Sequence, residues 1–469
     1  MNHPEPVLAA QALTVHSAGG ELLVEPFSAA LQAGEVLCLL GESGSGKSLL
    51  AQAWMGSLPA GLQAGGRVGL LGVWQPAAAD RRADWGRRLA LLPQEPWAAL
   101  DPTMRVLGQV QESHALVRGL PWRQARQAAL ADLDGLGLAD AADRYPFQVS
   151  GGMAQRVALA ATRAAAAPVW MVDEPTKGLD AHWRAQTVAL LQAEQRRGTA
   201  LVVITHDVDV ARALGGQVAV MRRAQVLEHG PADQVLNHPQ HPYTQRLLDA
   251  EPARWPAPPP PPPRSEAAPL LQAQGLGLQR GGRWLFRGLD LVLRPGERVA
   301  ITGPSGAGKT SLGQVLLGLQ VPDEGRVERG PGLGRHGFQK LYQDPLAAFA
   351  PACSLGQSLQ DLLRLHGLAP AALDQGLQRL GLASALLQRR PHQLSGGELQ
   401  RLALLRLLLL KPAVVFADEP SSRLDPLTQR DTLALLTEML EEQGSALLLV
   451  SHDSALASRL TERQVRVGA

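Results

Sequence analysis

One block of short motifs occurs twice in this chain, in the same order and with nearly the same spacing, so whatever it folds into it must fold into twice. The first block reads GESGSGKS at 41–48, Gln94, SGGMAQR at 150–156, VWMVDEP at 169–175, GLD at 178–180 and His206. The second reads GPSGAGKT at 303–310, Gln343, LSGGELQR at 394–401, VVFADEP at 414–420, RLD at 423–425 and His452. Ser150 to Asp173 and Ser395 to Asp418 are both 23 residues, and the next steps, to His206 and His452, are 33 and 34. A period near 245 residues means duplicated domains rather than a solenoid of short repeats. The halves differ most at the start: Lys47 to Gln94 is 47 residues but Lys309 to Gln343 only 34, so the second copy is expected to lack a surface excursion.

The repeat places one domain at 1–250 and another at 269–469, with a linker at 251–268. The stretch PAPPPPPPRSEAAP at 256–269 cannot pack as helix or central strand and favours an extended spacer. Formal charge is +2, from 45 basic and 43 acidic residues without a block of one sign. That leaves no electrostatic footprint for nucleic acid. The leucine-rich stretch around 402–410 contains Arg406 and stops at Lys411, well short of the ~20 apolar residues a bilayer helix needs. The opening MNHPEPVLAA has no basic region followed by an apolar core, so no secretory signal is expected. Cys38 and Cys353 are too few for an iron–sulfur or zinc cluster and read as incidental thiols.

Each motif carries its own chemistry. The apolar runs at 36–40 and 299–301 read as buried strands, each feeding a glycine-rich turn and then a helix that begins near the lysine. Gly41, Ser43, Gly44, Ser45 and Gly46 in one copy, and Gly303, Ser305, Gly306, Ala307 and Gly308 in the other, let backbone N–H groups converge on a phosphate. The helix N-terminus adds positive potential. Lys47 or Lys309 then reaches the β and γ oxygens and Ser48 or Thr310 binds Mg²⁺. The chain has five lysines against forty arginines, yet both cradles hold lysine, because a compact ammonium fits where a planar fork does not. The runs ending in Asp173-Glu174 and Asp418-Glu419 deliver paired carboxylates to a sheet edge. Ser150, Gly151 and Gly152, and likewise Ser395, Gly396 and Gly397, open helices with a hydroxyl and free amides that suit an anion.

Taken together, and over almost the whole chain, these motifs resemble two ABC-type nucleotide-binding domains fused head to tail. The resemblance implies an α/β fold of tandem P-loop NTPase domains, each a RecA-like core with a helical subdomain and an antiparallel β portion. It implies ATP hydrolysis with Mg²⁺: Asp173 and Asp418 holding the metal through water, Glu174 and Glu419 polarising the attacking water, and His206 and His452 contacting the γ-phosphate. Gln94 and Gln343 are similar to the family's glutamine that senses metal and transporter, and 95–149 and 344–393 to its helical inserts, which dock a membrane partner. In the family the Ser150 and Ser395 signatures complete ATP binding against the opposite phosphate loop, pairing Lys47 with Ser395 and Lys309 with Ser150. Met153 and Glu398 replace the usual glutamine, beyond the residues that hold phosphate. Where the family places an adenine-stacking aromatic, the chain has VHSAGG at 15–20 and LQRGGRW at 278–284, with His16, Arg280 and Trp284 as open alternatives.

HPYTQRLL at 241–248, SGGM and QDPLAAFAP at 343–351 are similar to the peptide and nickel importer ATPases within that family. The expected function is the fused ATP-binding subunit of an importer of peptides or nickel and other metal complexes. Its expected partners are two permease subunits and a substrate-binding protein, with no nucleic acid, and its expected place is the cytoplasmic face of the inner membrane, peripherally. A fused sugar-importer ATPase and a soluble tandem ATPase acting on ribosomes or DNA are the alternatives. The second domain ends 17 residues after His452, so no equivalent tail or regulatory domain is expected there.

Overall fold

The computed structural model describes residues 5–256, 267–304, 306–331, 333, 336–422 and 424–468, without the side chain of Ala98. The proline run falls almost entirely outside the described residues, and so do Ser305 and Arg423. The chain divides into two compact units, Met1–Leu248 and Asp249–Ala469. Among the described residues no helix is long and apolar enough to cross a membrane.

In the first unit a four-stranded antiparallel sheet is built from β1 (Leu8–Ser17), β2 (Leu22–Leu31), β4 (Leu62–Leu70) and β5 (Val73–Pro76), in the order β2-β1-β4-β5. A second sheet has the order β10-β9-β3-β8-β7-β6, from β3 (Val36–Gly41), β6 (Leu89–Leu92), β7 (Val169–Asp173), β8 (Ala200–Thr205), β9 (Gln217–Arg222) and β10 (Gln225–Pro231). It is parallel apart from β10. Strands β3 and β8 are buried along their whole length, which is why they read as continuous apolar runs rather than alternating ones. The core between the sheets gathers Leu37, Leu39, Trp54 and Met171. A separate core under the insert joins Val106, Val110, Leu133 and Val157, so the helical subdomain packs around a centre of its own.

The second unit repeats the plan with fewer strands. Its small sheet is β12-β11-β14, from β11 (Leu271–Arg280), β12 (Arg283–Leu293) and β14 (Glu324–Arg329). Its parallel sheet is β15-β16-β17-β13-β18, from β13 (Arg298–Thr302), β15 (Phe338–Leu341), β16 (Val414–Asp418), β17 (Ala446–Val450) and β18 (Arg463–Arg466). Among the described residues no counterpart of β5 or of the turn Arg82–Asp84 lies between β14 and β15, in keeping with the shorter spacing from Lys309 to Gln343.

One packing detail is invisible to sequence patterning. Gly313 sits in the helix Lys309–Leu316, and a Cβ there would run into the Phe416 ring. Alanine in place of glycine normally gains about 1 kcal/mol in a helix, whereas overpacking a core costs about 1–3 kcal/mol. The clash is deep enough for overpacking to win. Gly313→Ala should therefore destabilise the second unit in a denaturant melt, and adding Phe416→Leu should recover most of the loss. A Gly313→Ala variant as stable as wild type would mean that the helix shifts freely over β16.

Candidate active site

Because β3 lies between β8 and β9, and β8 lies beside β7, the C-terminal ends of β3, β7 and β8 share one edge of the parallel sheet. That edge is where α/β sheets bind ligands. Three chain segments emerge there: the glycine loop after β3, the carboxylates after β7 and His206 after β8. The second unit gathers its counterparts after β13, β16 and β17 in the same way.

The glycine loops can be built only with glycine at certain points. A Cβ on Gly41 or Gly303 would overlap the carbonyl oxygen of Met221 or Val467. Gly46 and Gly308 take φ of 99° and 93° and start the helices Lys47–Met55 and Lys309–Leu316 with no side-chain cap. The first-turn N–H groups are thus left for a ligand. Gly44 and Gly306 face open space. Lys47 Nζ donates to the carbonyls of Gly41 (2.9 Å) and Glu42 (2.7 Å) and to Ser45 Oγ (3.2 Å). Lys309 Nζ donates to those of Gly303 and Pro304, both at 2.9 Å. Each ammonium, nearly buried, is therefore folded onto its own loop.

At the strand ends, Glu174 and Glu419 hold φ of 48° and 45°, a left-handed conformation that costs a non-glycine residue free energy and clusters at functional sites. Their N–H groups donate to Ile204 O and Val450 O, which pins the turn to the neighbouring strand. His206 Nδ1 lies 2.8 Å from Glu174 Oε1, and His452 Nδ1 3.4 Å from Glu419 Oε1. Burial by itself would lower the His206 pKa, but the hydrogen bond and charge of Glu174 outweigh it and raise it. For His452 the Glu419 hydrogen bond leads and also raises it. Glu419 is held below its usual value: burial pushes up, while His452 and Lys309 pull down harder.

Ser48 Oγ donates to Asp173 Oδ2 at 3.3 Å, and Thr310 Oγ1 to Asp418 Oδ1 at 3.1 Å. Burial, with the charge of Glu174, pushes the Asp173 carboxyl up to about 6. Its Oδ1 is buried with no hydrogen-bond partner. A half-buried carboxylate with one buried, orphaned oxygen beside a hydroxyl fits a divalent cation whose remaining ligands are water and phosphate. Among the described residues no group of three or more His, Cys, Asp or Glu could hold a metal, and a Mg²⁺ bound through one carboxylate and one hydroxyl needs no such group.

The structure also separates residues that the sequence treats alike. Gln343 Nε2 donates to Glu419 Oε2 at 2.8 Å. Gln94, half-buried at the start of the first insert, makes no such bond to Glu174 among the described residues. Ser150 Oγ accepts from the Met153 N–H at 3.3 Å, capping the helix Gly151–Ala164. Glu398 does not stand clear of its anion site: its Oε2 accepts from Ser395 N–H (2.9 Å) and Ser395 Oγ (2.7 Å). The i+3 spacing of serine and glutamate is a capping-box pattern, and here it closes on Ser395 itself. At the adenine end, His16 on β1 is half-buried, Arg280 is exposed, and Trp284 is covered by the Arg287 guanidinium, 4.7 Å from the ring centroid.

A loop of glycines with an inward lysine, an uncapped helix start and paired strand-end carboxylates defines a P-loop nucleoside triphosphatase, here present twice. The profile of the ABC transporter family matches residues 24–177 and 286–422, more than half of the chain. The chain is 31% identical to the glutathione import ATP-binding protein GsiA of Salmonella paratyphi A, over 97% of this chain and 84% of that one. It is 32% identical to the peptidoglycan transport ATP-binding protein YejF of Agrobacterium fabrum, over 97% and 90%. The chain belongs to the ABC transporter family: it is an ATP-hydrolysing transport ATPase with two fused ATPase units. An archaeal ribosome recycling factor solved with a ribosomal stalk protein shares its fold, with a TM-score of 0.67 over 97% of this chain and 87% of that one. At 20% identity that likeness concerns fold alone.

Proposed function

We propose that this chain is the ATP-binding subunit of a peptide-type importer, hydrolysing Mg²⁺-bound ATP to drive uptake through separate permease subunits loaded by a substrate-binding protein. The observation that carries this reading is the likeness to fused tandem import ATPases along nearly the whole of each chain. Both relatives are named for peptide-containing cargo, glutathione and peptidoglycan, which favours peptides over nickel or other metal complexes. In each unit the proposed roles follow from position. Lys47 and Lys309 hold the β and γ phosphates, Glu174 and Glu419 take the proton of the attacking water, and His206 and His452 steady those glutamates and face the γ-phosphate. Mg²⁺, held beside Ser48 and Asp173 or Thr310 and Asp418 with Gln94 and Gln343 close by, would offset phosphate charge. The place we assign to the chain is the cytoplasmic face of the inner membrane, peripherally, with no nucleic acid involved.

The first unit offers a surface for a permease. A cavity of about 630 Å³ opens between the sheet edge and the helical insert, lined by Met55, Trp85, Leu91, Leu100, Met104 and Leu116. Leu116 is 62% exposed and nearby Trp97 45%, so the rim is apolar and ready to be covered. Co-expressed with permeases encoded beside it, the protein should fractionate with membranes, and a loaded binding protein should stimulate its ATPase. Leu116→Asp with Trp97→Ser should reduce membrane recovery at least about tenfold, the effect of removing two buried apolar anchors, while leaving ATP binding intact. Recovery with ribosomes or DNA and no permease association would overturn the importer reading.

A further inference from the structure

The register of the two parallel sheets exposes a difference between the sites. Leu91 on β6 pairs with Met171 on β7, and Lys340 on β15 pairs with Phe416 on β16. The positions are equivalent, since each lies three residues before its glutamine and each partner two residues before its aspartate. Leu91 is 42% exposed. Lys340 turns inward along the diagonal of the strand pair and places Nζ 2.9 Å from Asp418 Oδ2, with the two side chains only 11% and 7% exposed. Two rings hold the ammonium there, Tyr342 at 5.2 Å and Phe416 at 5.6 Å. The first unit has Pro93 and Met171 in their places. Lys177 also acts on Asp173 in the first unit, but its ammonium is paired with Glu95 at 3.9 Å rather than with the aspartate.

The consequence falls on Asp418. Asp173 keeps one buried oxygen without a partner, whereas both oxygens of Asp418 are engaged, Oδ1 by Thr310 and Oδ2 by Lys340. We propose that Lys340 is a positioning residue that holds Asp418 in an internal ion pair, so that the second nucleotide site requires more Mg²⁺ than the first. An incoming divalent cation meets a carboxylate already neutralised and feels a fixed positive charge within a few ångströms. At about 4 Å two unit charges alter binding by about fivefold even at the dielectric of bulk water, so a divalent cation against one fixed charge feels at least that, and more in a half-buried site. The inference rests on the Mg²⁺-ATP reading of both sites.

The test uses the full chain with a trinitrophenyl-ATP probe, titrating MgCl₂ and reading nucleotide binding rather than turnover. In a Lys47→Ala background only the second site reports; in a Lys309→Ala background only the first does. Lys340→Met should lower the half-saturating Mg²⁺ of the second site by about fivefold or more, and Leu91→Lys should raise that of the first by a similar factor. An unchanged or raised midpoint in Lys340→Met overturns the proposal. Should that variant fail to fold by circular dichroism, Leu91→Lys at its exposed position decides, and no rise there overturns it equally. If Mg²⁺ has no effect on binding at the unaltered first site, the metal-nucleotide reading itself fails and the inference goes with it.

Discussion

Replacing Glu174 or Glu419 with glutamine should slow ATP turnover by about two orders of magnitude or more at saturating Mg²⁺, about 2.7 kcal/mol of barrier. Glutamine keeps the volume and can keep the left-handed backbone at φ 48° or 45°, so the strand-end turn should survive. What it loses is the charge that holds His206 or His452 and the ability to take a proton from water. Nucleotide should still bind, because the lysine cradle and the uncapped helix start are untouched, and a bound-but-not-hydrolysed state should accumulate. Steady-state phosphate release, together with nucleotide retained after rapid desalting, checks both halves of this expectation. A single variant at wild-type turnover would make its unit non-catalytic. A single variant at half the wild-type rate would mean that the two units hydrolyse independently of each other, and the hundredfold loss expected of each single variant would be wrong.

Much of this site was legible because the chemistry lies on contiguous, buried strands. VWMVD ends in Asp173, VLCLL and LVVIT lead straight into the glycine loop and His206, and a fully buried parallel strand gives a clear apolar run. The paired histidines and glutamates then follow from strand adjacency once β7 and β8 are neighbours. The sequence is less informative where a side chain reaches across strands or back along a turn. Nothing in FQKLYQ announces that Lys340 points at Asp418, because strand alternation assigns a face but not a partner. Only the pairing of β15 with β16 brings them together. Glu398 is the opposite case: its spacing from Ser395 is a capping-box pattern, and its carboxylate takes up both the N–H and the hydroxyl of Ser395. Gly313 shows a third limit, since a helical glycine reads as a weak point until the Phe416 ring is seen against it.

The second large effect concerns the two lysines and asks for charge without shape. Lys47 Nζ lies among two carbonyls and one hydroxyl, all within 3.2 Å, a niche sized for a compact ammonium with three donors. A guanidinium is planar and forked, and it cannot aim its N–H groups at the same converging oxygens. Lys47→Arg and Lys309→Arg should therefore behave nearly as badly as Lys47→Ala and Lys309→Ala, each weakening nucleotide binding at its own unit by about a hundredfold. That corresponds to about 2.7 kcal/mol, the scale of one to two charge-assisted hydrogen bonds to phosphate. Equilibrium binding should then fall from two nucleotides per chain to one in either single variant and to none in the double. Circular dichroism should stay unchanged, since the Nζ hydrogen bonds described above join each lysine to its own loop rather than to another helix or strand. Arginine variants that bind as wild type would show that net charge alone holds the phosphates, and the shaped cradle drawn from Gly41 and Gly303 would have to be abandoned.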